Sequence, residues 1–310
     1  MKNSLYPGAK IGLIGSGYYT EELARAFENS GYVVKILSDK KLQLEQVEQL
    51  ASEVERAVCT VEKIDVELLE PLGDKLLQDP ALLLMTQDRL FFKNFLDEKN
   101  INTQPYTTIF SEEDIYQAVD SLGFPLVLRS NQNVAEPIFI HEEAEISEAF
   151  AKLVPGPAVL EAWVPIDTEI AMTVSRSGNG KIRVLSKLEV IRRGGQISQY
   201  LTNPRMNEEW DAACQEVAEK FSNGIKGEEV FTLELLITSA GVIYLHNVKT
   251  KADLIHYPQN IYGRMIPLME QVRLTVGKRW KGLTYKPATD FVILPILHRQ
   301  IDEALKMVAD

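Results

Sequence analysis

The opening of this 310-residue chain limits its fold more than any other stretch. Lys10–Ile14 is an apolar run of strand length, and Gly15-Ser16-Gly17 follows at once. An amphipathic segment then carries Leu23, Ala24, Ala26 and Phe27 on one side, the mark of a half-buried helix. Gly31 stops it, Tyr32–Leu37 is β-rich, and Asp39 comes just after. A further alternation reaches Val58–Val61 and a helix near Asp65–Leu72. A βαβαβ series of this kind predicts a parallel sheet with crossover helices, the start of an α/β protein. Domains usually run to about 100–200 residues, so the length leaves room for two or three.

The rest of the pattern changes character midway. Thr86–Lys99 reads as one helix capped by Thr86, with Leu90, Phe91, Phe95 and Leu96 near helical spacing. Ser111-Glu-Glu-Asp114 opens another helix that ends at Gly123, its acidic first turn suiting the helix dipole. Short strands are predicted at Pro125–Arg129 and Ile138–Ile140, and a helix over Glu142–Leu153. Strands follow at Ala158–Glu161, Glu169–Arg176, Arg183–Ile191 and Gln196–Leu201, with Ser177-Gly-Asn-Gly180 as a hairpin turn. A helix over Asn207–Phe221, a hairpin of Phe231–Ile237 with Val242–Asn247, and a helix over Gln259–Val276 complete the series.

Composition narrows the function classes. Hydrophobic residues at 45% and charged residues at 25% are ordinary globular values. The longest apolar runs, Ala81–Met85 and Phe291–Leu297, fall far short of the roughly 20 residues of a membrane helix, so no membrane partner and a cytoplasmic location are expected. Against 33 Lys and Arg stand 44 Asp and Glu, a net charge of −11. That field disfavours nucleic acid, although a pocket can still be locally basic for a small anion. Cys59 and Cys214 lie far apart without a metal or disulfide motif, and the four histidines show no ligand spacing.

Two readings of the glycine turn compete. A Gly-rich turn at a helix start lets backbone N–H groups approach a phosphate, and Asp39 lies where a ribose-binding acid would sit, as in a dinucleotide-binding protein. Thr20 stands where the third glycine should be. The plainer reading is a tight βα turn that binds nothing.

The order of elements resembles the ATP-grasp superfamily. Thr86-Gln-Asp-Arg89 with Lys93-Asn-Phe95-Leu96 looks like the helix opening its nucleotide-binding region, and Gly123–Ser130 like the strand that normally carries a phosphate-binding lysine. Gly156–Pro165 with Thr168-Glu-Ile170 resembles the hinge over adenine and ribose, and Leu233-Glu-Leu235 the first metal-carboxylate strand. Within the superfamily the chain is most similar to the 5-(carboxyamino)imidazole ribonucleotide synthases, ATP-driven carboxylases of purine synthesis. The resemblance implies an ATP-grasp fold behind an N-terminal Rossmann-like domain at 1–85. The ATP-grasp domain would span 86–278, divided at 155/156, with a truncated C-terminal segment at 279–310. It implies ATP, Mg2+, a small-molecule nucleotide partner and a homodimer. Carried over residue by residue, Arg89, Arg129, Glu161, Trp163, Val164 and Glu169 would meet the nucleotide. Gly15, Gly17 and Lys251 would meet substrate, and Glu234 and Asn247 the metal.

Several of these positions depart from the family pattern. Arg129 stands for lysine, a fork in place of a point charge. The family's Gly-Gly-Tyr-Asp-Gly-Lys-Gly loop is Asn131-Gln-Asn-Val-Ala-Glu-Pro137, without glycine and with an acid. Asn247 replaces the second metal glutamate, Lys251 an arginine, Asp253 a histidine and Leu254 an asparagine; Tyr18-Tyr-Thr-Glu21 replaces Gln-Leu-Gly-Arg. The expectation is a retained scaffold with impaired or lost ATP-driven carboxylation and a binding or regulatory role. The alternatives are an active ligase with a diverged site, using Lys249 or Lys251 on the phosphates, and a nicotinamide-binding protein using Gly15, Gly17 and Asp39.

Overall fold

A computed structural model describes residues 4–132, 136–251, 266–278 and 292–293. The N-terminal unit is the predicted parallel sheet. Strands β1 (Lys10–Ile14), β2 (Val33–Leu37) and β3 (Arg56–Cys59) lie in the order β2-β1-β3. Helices α1 (Tyr18–Asn29) and α2 (Leu44–Glu53) make the crossovers. Ile11, Leu13, Leu23 and Phe27 share one buried cluster, and Ile14, Val47 and Cys59 another, so both faces of the sheet are covered. The carboxyl ends of the three strands therefore gather Gly15–Gly17, Asp39 and Thr60 at one edge, where open α/β sheets bind ligands.

Asp65 caps a 3₁₀ segment, Val66–Lys75, that carries Pro71 and kinks at Gly73. The single helix expected over Thr86–Lys99 is in fact two. Helix α3 (Pro80–Gln87) starts at the Asp79 cap with Pro80 in its first turn. Asp88 then leaves helical geometry (φ −121, ψ 107), and its carboxylate accepts from Phe91 N to start α4 (Arg89–Glu98). Thr86 is no cap; its hydroxyl donates back to the Leu83 carbonyl inside α3.

A four-stranded antiparallel sheet follows, ordered β4-β7-β5-β6, from β4 (Tyr106–Ile109), β5 (Leu126–Ser130), β6 (Ile138–Ile140) and β7 (Ala158–Ala162). Helix α5 (Glu112–Leu122) starts at a Ser111–Asp114 capping box and packs with the short α6 (Ile146–Ala151) on this sheet. The expected Glu142–Leu153 helix shrinks to α6 and one preceding 3₁₀ turn, because the Glu145 carboxylate turns back to the His141 N–H.

The larger sheet runs β12-β11-β8-β9-β10-β13. Its strands are β8 (Thr168–Arg176), β9 (Ile182–Arg193), β10 (Gln196–Leu201), β11 (Glu229–Ile237), β12 (Ile243–Lys249) and β13 (Val292–Ile293). Helix α7 (Glu208–Gly224), capped by Asn207, lays Cys214, Ala218 and Phe221 on it. Phe221 meets Phe95 and Phe231 with centroids 5.3 and 5.6 Å apart, joining α4, α7 and β11. Helix α8 (Ile266–Thr275) places Leu268, Val272 and Leu274 in the cluster that covers α1 and β1.

Asp253, Leu254, the middle of the Asn131–Pro137 loop, the first part of the Gln259–Val276 helix and all of 279–310 except β13 lie outside the described residues. Among the described residues no helix is long and apolar enough to cross a membrane.

Candidate functional site

The site begins with two residues one helical turn apart. Arg89 and Lys93 share a face of α4, and both are buried there. Opposite them, β5 pairs β7 with Val127 facing Glu161 and Arg129 facing Val159. Arg129 and Glu161 are thus diagonal neighbours on one face of the sheet. Glu161, fully buried, collects all three cations. Its Oε1 accepts from Arg89 Nε (3.0 Å) and Nη2 (2.5 Å) and lies 2.9 Å from Lys93 Nζ. Its Oε2 accepts from Arg129 Nε at 2.9 Å.

Burial alone would raise the Glu161 carboxyl, but Arg89, Lys93 and Arg129 together hold it well below the usual carboxylate range. Burial pulls Lys93 down to about 8, only partly offset by Glu161, and it also lowers Arg129. Three cations on one carboxylate leave an excess of two positive charges in a poorly hydrated place. An arriving anion would offset that excess.

Glu161 is therefore not an adenine or ribose contact. No part of its side chain reaches solvent, and its carboxylate serves the cations. Lys93, which the sequence reading did not single out, belongs to the same group; its i, i+4 spacing from Arg89 was the available signal. It also donates to Thr103 Oγ1 (2.6 Å) and lies 5.0 Å from the Tyr106 ring centroid. Arg89 Nη1 reaches across to the His246 carbonyl at 2.7 Å, tying α4 to β12. The half-buried His246 ring has Nδ1 2.6 Å from Gln104 Oε1, and desolvation beside Arg89 pushes its pKa down to about 3. It stays neutral near pH 7.

A cavity of about 660 Å³ opens beside this cluster, between the N-terminal strand ends and the larger sheet. Ser16, Tyr18, Tyr19, Asp39, Thr60, Val61, Glu62 and Lys63 form one wall; Arg89, Arg129, His246, Asn247, Val248, Lys249 and Lys251 form much of the other. Gly15 and Gly17 flank Ser16 without lining it. Gly15 has a packing reason: a Cβ there would sit 2.1 Å from Thr60 Oγ1. Gly17 has a conformational one, with φ 83 at the start of α1 and open space around it. Asp39 Oδ1 and Glu62 Oε1 are buried in that wall with no hydrogen-bond partner among the described residues. Lys251 Nζ stands 3.9 Å from the latter.

The hinge residues are not among those that line this cavity. The Trp163 N–H donates to the Pro125 carbonyl at 3.0 Å, so it is not available to an adenine edge, and the indole is exposed. Val164 is half-buried. Both oxygens of Glu169, the expected ribose acid, are held by Arg192, from Nε at 2.7 Å and Nη2 at 2.8 Å. The loop after β5 starts with Asn131, whose carbonyl accepts from Arg89 N (2.8 Å) and whose side chain accepts from Leu90 N (2.7 Å). Its first residue thus caps α4.

The metal position is built from side chains that pair with one another. Glu234 on β11 faces Asn247 on β12 directly, with Lys249 two residues along on the same face. Glu234 Oε1 is 2.7 Å from Lys249 Nζ, and Oε2 accepts from Asn247 Nδ2 at 3.0 Å. Burial would raise this carboxyl, yet Lys249 lowers it, so it is ionised and paired. Magnesium needs hard oxygen donors. Here one carboxylate is occupied, Asn247 presents an N–H donor to it, and among the described residues no three His, Cys, Asp or Glu group together. This donor set does not fit magnesium.

Comparison with known proteins agrees with this architecture. A model of the ATP-grasp domain matches residues 94–250. N5-carboxyaminoimidazole ribonucleotide synthase of Bacillus subtilis is 26% identical over 268 residues, covering 80% of this chain and 70% of that protein. The enzyme of the same name from Brucella melitensis is 24% identical over 265 residues, covering 78% and 73%. A crystal structure of an ADP complex of N5-carboxyaminoimidazole ribonucleotide synthetase superposes with a TM-score of 0.89 at 22% identity, over 100% of this chain and 87% of that one. The Staphylococcus aureus synthetase with ADP gives 0.89 at 21%, over 99% and 87%.

Proposed function

Because the chain belongs to the ATP-grasp family, we propose that it is a nucleotide-binding relative of the carboxyaminoimidazole ribonucleotide synthases in which ATP-driven carboxylation is impaired or lost. Its remaining role is to bind or regulate. The observation that carries the reading is Glu234, whose two oxygens are taken by Lys249 and Asn247. Phosphoryl transfer depends on positioned metal and cations around the phosphates. The cations Arg89 and Arg129 are still on the cavity wall, which supports retained anion binding. The family resemblance adds ATP as the first nucleotide to test, a homodimer and a cytoplasmic setting.

The test is turnover of aminoimidazole ribonucleotide with bicarbonate and Mg-ATP by the purified chain. No product and no phosphate release are expected. Turnover that disappears in Glu234→Gln would establish instead an active ligase with a diverged site, the reading favoured by the intact cation cluster. A nicotinamide-binding reading draws support only from the unpartnered Asp39 Oδ1, and predicts quenching of Trp fluorescence by NADH that is lost in Asp39→Asn.

A further inference from the structure

A polyphosphate in a cleft needs its charge offset, and a divalent ion held by carboxylates is one way to do so. This chain carries a different cation at that place. Glu234 faces Asn247 across the β11–β12 pair, and Lys249 is the next side chain on the same face. Lys249, whose ammonium is 2.7 Å from Glu234 Oε1, has a side chain 27% exposed, and it lines the cavity together with Lys251 and Arg129. A divalent ion arriving at Glu234 would have to displace that ammonium, lose water, and sit among other positive charges. A lysine needs none of these steps, since it is tethered to the strand and already paired.

We propose that the cavity is a metal-independent site for a diphosphate group, with Lys249, oriented by Glu234 and Asn247, in the charge-neutralising place of the divalent ion. The inference deepens the nucleotide-binding reading and rests on it for the source of the diphosphate, which is a nucleoside diphosphate. Lys249 reaches the ligand through its ammonium; Arg129 offers a guanidinium on the same wall, at the mouth of the buried cluster. Glu234 is then a positioning residue, holding the ammonium rather than a metal.

Calorimetric titration of the full chain with inorganic pyrophosphate and with ADP, each in excess EDTA and in excess Mg2+, tests this. Both ligands are expected to bind in EDTA, and excess Mg2+, which complexes the free diphosphate, should leave either affinity unchanged or weaken it. Lys249→Met should weaken pyrophosphate about ten-fold or more in EDTA, while Lys249→Arg keeps most of the affinity. Mg2+ strengthening binding about ten-fold, absence of pyrophosphate binding in EDTA, or a folded Lys249→Met chain that binds like wild type would each overturn the inference. Should the Met variant not fold, the magnesium comparison on the wild-type chain decides alone. Pyrophosphate binding without ADP binding would leave this inference standing and sink the nucleotide reading.

Discussion

Arg89 and Glu161 sit 72 residues apart in the chain and are joined by two hydrogen bonds in an interior that excludes water from the carboxylate. With Lys93 and Arg129 on the same acid, the pair fixes α4 against the four-stranded sheet, and Arg89 carries the link onward to β12. Arg89 and Arg129, two of the cations on the cavity wall, therefore depend on one glutamate for their placement.

Removing that glutamate should be costly. Glu161→Gln leaves buried Arg89 and Lys93 and half-buried Arg129 without their counter-charge, and a loss of about 3–5 kcal/mol in urea-unfolding free energy is expected. Lys93→Met should cost clearly less, because it removes a cation that burial already disfavours. Equal losses in the two variants would contradict the charge-excess account.

Glu229 sets a pH dependence of its own. It is fully buried, its Oε1 accepts from Asp79 N at 3.1 Å, and burial pushes its carboxyl up to about 8. The unfolded chain loses this proton near the ordinary value of 4.5, the folded chain only near 8. Between the two, the native state holds the extra proton, so this group makes stability fall as pH rises. His246, whose pKa is pushed down to about 3, opposes this at the acid end of the window, so the test is the difference between variants: the fall in denaturation midpoint from about pH 5 to about pH 8 should be smaller in Glu229→Gln than in wild type, or reversed. Glu161 adds no slope in that window, because its carboxyl is held low and titrates only in acid.

The two glycines of the opening turn should respond differently. Gly15→Ala drives a Cβ into the Thr60 hydroxyl and should destabilise by about 2 kcal/mol or more. Gly17→Ala meets open space but must hold φ 83 with ψ −176, a region essentially restricted to glycine, at a cost of about 1–3 kcal/mol with no clash added. Thermal denaturation of both variants gives the ranking, and a reversed order would show that the turn is held by something other than this packing.

Arg192 closes Glu169 with a two-pronged pair. Arg192→Met should free the acid for a ribose hydroxyl and raise ADP affinity a few-fold while leaving pyrophosphate affinity unchanged, as read by calorimetry. A parallel change in both ligands would place Arg192 on the phosphates instead.

Much of the fold was legible because its signals are local. Ser111 and Asn207 cap the helices they were expected to open, or stand beside their first turns, and the Gly180 turn joins β8 to β9. The break at Asp88 was hidden because Thr86 and Asp88 are both capping types within one unbroken apolar pattern. The site was legible in part. Arg89, Arg129 and Glu161 do come together, but that Glu161 is sealed beneath three cations is set by cross-strand register and burial, which no spacing reveals. The same limit applies to Lys249. Its residue type was visible, but its place on Glu234 follows from the β11–β12 pairing.

Asn131 limits how freely its loop can vary. It holds the first two amides of α4, and Asp88 takes the third, so the loop after β5 and the helix that carries Arg89 are tied at one residue. A glycine there would keep the carbonyl that accepts from Arg89 N but remove the side-chain oxygen that accepts from Leu90 N, loosening the first turn of the helix that carries Arg89. A substitution at Asn131 can therefore weaken that helix start without touching any group on the cavity wall, so the loop cannot vary independently of the placement of Arg89.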